Sequence, residues 1–281
     1  MTSSWITYSI FSLLFILPLV NRPGFAAGDN YPVGSRAAAI SNTSVMYPDL
    51  WSVSHNQAGL GFYHHLAVGI HHENKFLVNQ FNLHSVVFSL PTQTGTFGLN
   101  YSYFGYSEYN ESKVGLGFGK ALNKKFSAGL QFNYMNTYVA EETGNHGAMV
   151  IEGGILAKPF DHFLIGFHVF NPTGSRFSNL VDEERIPMIF RLGIGYEYRE
   201  TLFIGFETEK DLELNPAFFK GGIEYWFIQH VCARTGVVVG DYVHHSFGLG
   251  FKMRNIQADV AFSHQQVLGY TPHLSIQYIF K

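Results

Sequence analysis

The chain has 281 residues, a formal net charge of −3, and only 14% charged residues against 16% aromatic ones. Such a balance supplies no basic field for nucleic acid, and the single cysteine, Cys232, excludes an internal disulfide or a cysteine zinc site. A water-soluble β-protein, which turns its apolar faces inward and covers its outside with charge, does not fit so aromatic and so uncharged a composition.

The N-terminus carries an apolar stretch from Trp5 to Val20, with Phe11, Leu13, Leu14, Phe15, Ile16 and Leu17, then Pro18 and Arg22. It is too short to span a bilayer and ends near the small-residue run Gly24-Phe25-Ala26-Ala27. Residues 1–27 therefore read as a secretory signal peptide, on the strength of the apolar core and the cleavage pattern, since no Lys or Arg precedes Arg22. Beyond it no apolar run approaches the ~20 residues of a transmembrane helix, so a membrane would be crossed by strands. Residues 28–61 form a second region. From Gly34 to Gly61 it is small and Ala-rich, lacks strand alternation, and holds Val45, Met46, Leu50, Trp51 and Val53, too apolar a set to be left in water.

From residue 62 to the end the dominant signal has period two. Leu66, Val68 and Ile70 alternate with Ala67, Gly69 and His71, whereas in the next strand Phe81 and Leu83 fall on one parity and Val86, Phe88 and Leu90 on the other. A bulge near His84–Ser85 would reconcile the two. Farther on, Phe97, Leu99, Tyr101 and Tyr103 oppose Gly98, Asn100 and Ser102, and Phe126, Ala128, Leu130, Phe132 and Tyr134 oppose Ser127, Gly129, Gln131 and Asn133. The same holds around Phe190–Tyr198, Phe219–Phe227, Phe247–Met253 and Ile256–Phe262, and in the closing run His273–Lys281, where Leu274, Ile276, Tyr278 and Phe280 share one face.

About fourteen such segments fit an outer-membrane antiparallel β-barrel, the closed form that leaves no backbone edge unpaired in hydrocarbon. An even number places both termini on one side, expected to be the periplasmic side of a Gram-negative outer membrane, with lipid as the surrounding partner. Connections expected to be short, such as Pro91–Gly95, Leu122–Lys125 and Arg254–Asn255, alternate with expected longer ones at Gly105–Ser112, Tyr138–His146, Asn171–Pro187, Thr208–Pro216 and His264–Pro272. Most of the 29 glycines fall on the parity assigned to the lumen, which predicts a small-residue lining. Tyrosines near strand ends, such as Tyr196, Tyr198, Tyr225 and Tyr278, suit interfacial girdles.

Several candidates for chemistry lie on the lumen parity. Glu152, Glu197, Glu207, Glu209 and Glu224 invite an acid/base reading, but Arg191, Lys220, Arg234 and Lys252 share the interior, so a structural charge network is expected. No nucleophile motif such as GxSxG appears, and neither catalysis nor a cofactor is expected. The adjacent pairs His64-His65, His71-His72 and His244-His245 point their rings to opposite faces of a strand and cannot each chelate one ion, so no metal centre is expected, although histidines of different strands remain free to meet.

The region before the barrel resembles the FadL-like outer-membrane transporter superfamily and, within it, the PorV/PorQ-type proteins of Bacteroidota-type (type IX) secretion. The resemblance lies in Gly34, Ala37, Ala38 and Asp49, followed by Asn56, Ala58, Gly59 and Leu60 ahead of the first strand, with Gln57 standing where the family usually has proline. It implies that residues 28–61 fold back into the lumen as a hatch, with Gly34, Asn56, Ala58 and Gly59 among its shaping residues. It also implies either a secretion-accessory role with protein partners or a passage for long-chain fatty acids and other hydrophobic small molecules. For such a ligand Phe203 and Trp226, on the lumen parity, are the expected contacts. The PorV/PorQ-type reading leads and the passage reading is its alternative.

Overall fold

A computed structural model describes residues 30 and 32–280 apart from 141–143, 178–184, 213–215 and 241–242; the expected signal peptide, 1–27, lies outside them. Fourteen strands pair antiparallel, each with its neighbours in sequence, and the last pairs with the first to close the barrel. They are β1 Ala67–Asn74, β2 Asn82–Pro91, β3 Thr96–Gly105, β4 Tyr109–Ala121, β5 Phe126–Val139, β6 Gly144–Ala157, β7 Phe163–Phe170, β8 Ile189–Tyr198, β9 Leu202–Asp211, β10 Phe218–Ile228, β11 Val231–Val239, β12 Val243–Met253, β13 Ile256–Gln265 and β14 Gly269–Ile279. Before them lie two short helices, α1 Ser35–Ala39 and α2 Ser52–His55, and a 3-10 turn over Gln57–Gly61. No helix among the described residues is long and apolar enough to cross a membrane.

The alternation read from the sequence is the alternation of the walls. In β5, Leu130, Phe132 and Tyr134 stand out from the barrel while Ser127, Gln131 and Asn133 are buried inside it. Across the strands Leu99 pairs with Leu116, Leu116 with Phe132 and Phe132 with Ile151, so the outward side chains form a continuous apolar belt suited to acyl chains. Leu116 is 57% exposed at the middle of β4. Leu116→Arg is expected to destabilise the bilayer-inserted barrel by about 2–4 kcal/mol, measured by denaturant titration in lipid vesicles. Rings gather at the end where the chain enters and leaves the barrel, with Tyr225 edge-on to Phe227 at 5.0 Å and Tyr278 edge-on to Phe280 at 4.9 Å.

Two local expectations are corrected. The pairing of β2 with β1 and with β3 runs from end to end without a shift, so there is no bulge at His84–Ser85; among the described pairings a register shift falls in β10, between Trp226 and Ile228. Phe81 precedes β2, and Leu83 and Val87 point inward, fully buried. The parity slip thus marks a wall facing an apolar interior, not an extra residue. The expected length contrast between the two barrel ends is also weaker than read: β4, β5 and β6 continue for 13, 14 and 14 residues, reducing the connections after β3 and β5 to 106–108 and 140–143. The connection 171–188 remains long, and its Phe177 and Ile186 pack with Met135, Phe170 and Ile189 over that end of the barrel.

Candidate functional site

The barrel's interior is occupied by its own N-terminal segment. Trp51, Ile40, Met46, Leu50 and Leu60 are all fully buried, and every residue of α1 and α2 is buried as well. Such short helices are not stable alone. They persist because the surrounding wall encloses them and supplies partners.

The segment follows a track of glycines round the wall. Ala39 lies against Gly248 of β12, Ile40 against Gly222 and Gly236 of β10 and β11, and Thr43 against Gly205 of β9. Val45 and Met46 then face Gly166 and Gly193 of β7 and β8, Asn56 faces Gly154 of β6, and Gln57 faces Gly129 and Gly119 of β5 and β4. Main chain meets main chain at several of these points: a Cβ placed on Gly129 would lie 2.2 Å from the carbonyl carbon of Gln57. The small-residue lining expected from the sequence is therefore the imprint of a backbone held within van der Waals reach of the wall.

The positions singled out for the hatch lie at the turns of this path. Gly34 has φ of 100°, and a Cβ there would sit 2.7 Å from the Trp51 ring, so both the conformation and the space call for glycine. Asn56 Oδ1 accepts from Ala58 N at 3.2 Å, while its Nδ2 donates to the carbonyl of Val45 at 2.7 Å and lies 3.3 Å from that of Ile155 in the wall. Ala58 is fully buried, and Gly59 packs on the Ser52 hydroxyl. Gln57, the departure from the family pattern, is buried and donates from Nε2 to Val53 O at 3.0 Å, a bond a proline lacks the side chain to make.

The lumen charges singled out from the sequence fall into two groups. In the first, Glu152 accepts from Lys113 Nζ at 3.1 Å, Gln131 Nε2 at 2.8 Å and Asn133 Nδ2 at 2.9 Å, with His168 Nε2 3.1 Å from its other oxygen. The second joins segment and wall. Arg36 Nε donates to Glu224 Oε2 at 2.9 Å and its Nη2 to Oε1 at 3.3 Å; its guanidinium lies 3.5 Å from Asp49 and stacks 3.5 Å over the Tyr47 ring. Arg234 pairs with the same Glu224 and, at 2.6 Å, with Asp259. Glu207 accepts from the main-chain N of Ser44 and of Val45, each at 2.9 Å, and lies 3.3 Å from Lys220. Glu209 binds Arg191 at 2.6 Å and Lys220 at 2.8 Å, and Glu197 accepts from Tyr47 Oη at 3.3 Å. These carboxylates each have cationic or hydrogen-bonding partners, and Glu224, Glu207 and Glu197 tie the segment to the wall.

The sequence reading missed Arg36, Lys113 and His168. Arg36 left one signal, a lone cation in an otherwise uncharged small-residue run, which in a buried segment demands a buried anion. Within the segment, burial pushes the Asp49 carboxyl up to about 6 against the pull of Arg36, and burial pushes His55 down to about 3. A neutral His55 donates from Nε2 to Val33 O at 2.6 Å and accepts at Nδ1 from Ser44 Oγ at 2.8 Å.

Open space remains on both sides of the segment. At the end where the chain enters the barrel, a cavity of about 1000 Å³ is lined by Arg36, Tyr47, Asp49, Lys158, Glu197, Glu224, Trp226 and Gln277. On the other side about 270 Å³ is bounded by Asn42, His55, Arg191, Glu207, Glu209 and Lys220. Trp226 thus borders a polar vestibule and donates to Glu224 at 3.3 Å. Phe203 is 2% exposed, packed with Ile40, Met46 and Leu164 and edge-on to Tyr47 at 5.1 Å, so it contacts the segment rather than open space. Cys232 is buried and free.

No protein-family model matches the chain, and no curated protein matches it in sequence. Solved structures match in fold. The CymD monoaromatic hydrocarbon channel aligns with a TM-score of 0.67 at 11% identity over 90% of this chain and 99% of that one. The Ralstonia pickettii toluene transporter TbuX aligns with 0.65 at 11% identity, covering 88% and 98%, and a Pseudomonas aeruginosa FadL homologue with 0.59 at 13%, covering 89% and 98%. The barrel is thus FadL-like in fold.

Proposed function

From a FadL-like fold with its lumen filled by its own N-terminal segment, we propose a passage protein of the Gram-negative outer membrane for hydrophobic small molecules, in which residues 28–61 act as the hatch and both termini are periplasmic. The observation that carries this reading is the buried segment between two cavities, held by reversible contacts such as the Arg36–Glu224 pair and no covalent link. A shut lumen blocks hydrophilic solutes, and displacement of the segment joins the two spaces. The hydrocarbon channels that share the fold support hydrophobic cargo, with monoaromatic hydrocarbons and long-chain fatty acids as the two classes to compare. No catalytic role is assigned.

The secretion-accessory reading, of PorV/PorQ type, rests on the resemblance within residues 34–60 and stands second. A docking platform needs outward anchors, and among the described residues of the 171–188 connection the apolar Phe177 and Ile186 are buried at 4% and 2% exposure while Met188 is half-buried. The test is uptake of radiolabelled toluene and oleate by cells that do or do not carry the barrel in the outer membrane. Uptake of either label above the barrel-free control is expected; uptake equal to that control for both, with secretion proteins co-purifying, would transfer the assignment to the docking reading.

A further inference from the structure

The seam that closes the barrel contains a cluster that neither the passage reading nor the charge network uses. His71 and Glu73 are two residues apart in β1 and so share its inner face, and the pairing of β1 with β14 sets Glu73 directly opposite His273. All three are buried, with no more than 7% exposure. His71 Nε2 lies 3.8 Å and His273 Nδ1 3.4 Å from the same Glu73 oxygen, and one donor atom from each of the three falls within 4.8 Å of the others. We propose that His71, Glu73 and His273 bind one divalent transition-metal ion, zinc-like in its ligand preference, across the β1–β14 seam.

Three features point to an ion. Metal–ligand bonds of about 2.0–2.2 Å at tetrahedral angles separate the ligand atoms by about 3.3–3.5 Å, so the spacings to Glu73 need only small side-chain shifts to close on a metal. Although buried, Nε2 of His71 and Nδ1 of His273 have only the shared Glu73 oxygen near them, at long or poorly aligned geometry, and Nδ1 of His71 has no partner, whereas buried polar atoms ordinarily have well-formed ones. The remaining nitrogen of His273, Nε2, is held by Ser263 Oγ at 2.9 Å, the outer contact by which a ligating imidazole is oriented toward its metal. Two neutral imidazoles and one carboxylate offer a net charge of −1 and favour zinc, cobalt, nickel, copper or ferrous iron over magnesium or calcium, which prefer oxygen. Opposed to this is the outer pair His72 and His84, whose rings stack at 4.8 Å on the lipid side. That pair has no carboxylate and is solvated or lipid-exposed.

The position gives the ion a consequence. It would tie the first strand to the last, and it would stiffen the wall on which Trp51 rests, whose ring stands edge-on to His71 at 6.2 Å. Metal binding and closure of the barrel are then linked, so the folded form gains stability with metal concentration.

The test uses the full barrel, purified in detergent without a histidine tag, stripped with EDTA, dialysed, and equilibrated with zinc or cobalt. Expected are one zinc per barrel by elemental analysis, ligand-field absorption bands on cobalt binding, and a zinc-dependent rise in the temperature at which gel mobility shifts. Glu73→Gln and His273→Ala, with folded-barrel mobility retained, are each expected to weaken zinc binding by about 100-fold and remove the cobalt bands, and His72→Asn with His84→Asn to leave both unchanged. Failure of the unaltered barrel to take up zinc overturns the proposal. So does unchanged zinc content in a His71→Ala, His273→Ala variant, or loss of the ion in the outer-pair variant instead.

Discussion

Gly129→Val is expected to expel the N-terminal segment from the lumen while leaving the strands paired. Position 129 faces inward at a point where Gly119, Gly129 and Gly154 stand side by side in register on β4, β5 and β6. A Cβ there would lie 2.2 Å from the Gln57 carbonyl carbon and 2.4 Å from Ala58 N, both main-chain atoms that no rotamer change removes. Overpacking a rigid site costs about 1–3 kcal/mol when neighbours can adjust, and here the neighbour is backbone that also rests on Gly119 of the adjoining strand β4, so the whole turn must move. The outer face of β5, with Leu130 and Phe132, is untouched, which is why the barrel itself is expected to survive. In planar bilayers the variant should show a large, persistent conductance where the parent shows little, with the same heat-dependent gel mobility. An unchanged conductance in a folded variant would mean that this segment is not the seal.

Arg36→Met is expected to have the second large effect, and for an electrostatic reason. The guanidinium of Arg36, a residue only 4% exposed, is bidentate to Glu224, faces Asp49 at 3.5 Å and covers Tyr47. Methionine keeps much of the side-chain volume and none of the charge. Glu224, 3% exposed, would keep only Arg234, and the half-buried Asp49 would lose its cation; breaking a fully buried pair from one side costs about 3–5 kcal/mol, and the loss here is expected near the lower end of that range. Thermolysin should then cleave the segment in the intact barrel at rates the parent does not reach. Adding Asp49→Asn to Arg36→Met should recover part of the loss, because the orphaned charge is removed with its partner. If the single variant resists thermolysin as the parent does, the Arg36 contacts do not hold the segment. Because Arg36 and Glu224 are only 4% and 3% exposed, the part of the difference that comes from their pair should change little with salt.

Both results turn on contacts between residues far apart in the chain, and that separates what was legible beforehand from what was not. Alternation is local: Leu99 and Asn100, or Phe132 and Asn133, declare their faces by type, because lipid on one side and a polar lumen on the other impose opposite demands on successive residues. Strand number, closure without edges and the small-residue interior all follow from that repeated rule. Where two apolar faces were needed the rule misled: Leu83 and Val87 meet buried protein inside while Val86 and Leu90 stand outside, and the slip in parity resembled a bulge.

The amino-acid order alone determined a closed, lipid-facing barrel with a distinct apolar segment ahead of it, because these depend on the solvent each face meets. Tertiary structure decided the course of that segment along the glycine track, the choice of Glu224 as the partner of Arg36, and the meeting of His71 and Glu73 with His273. Such contacts depend on the register in which the last strand joins the first and on how closely two backbones approach, quantities set by the packing of the whole chain and carried by no local period.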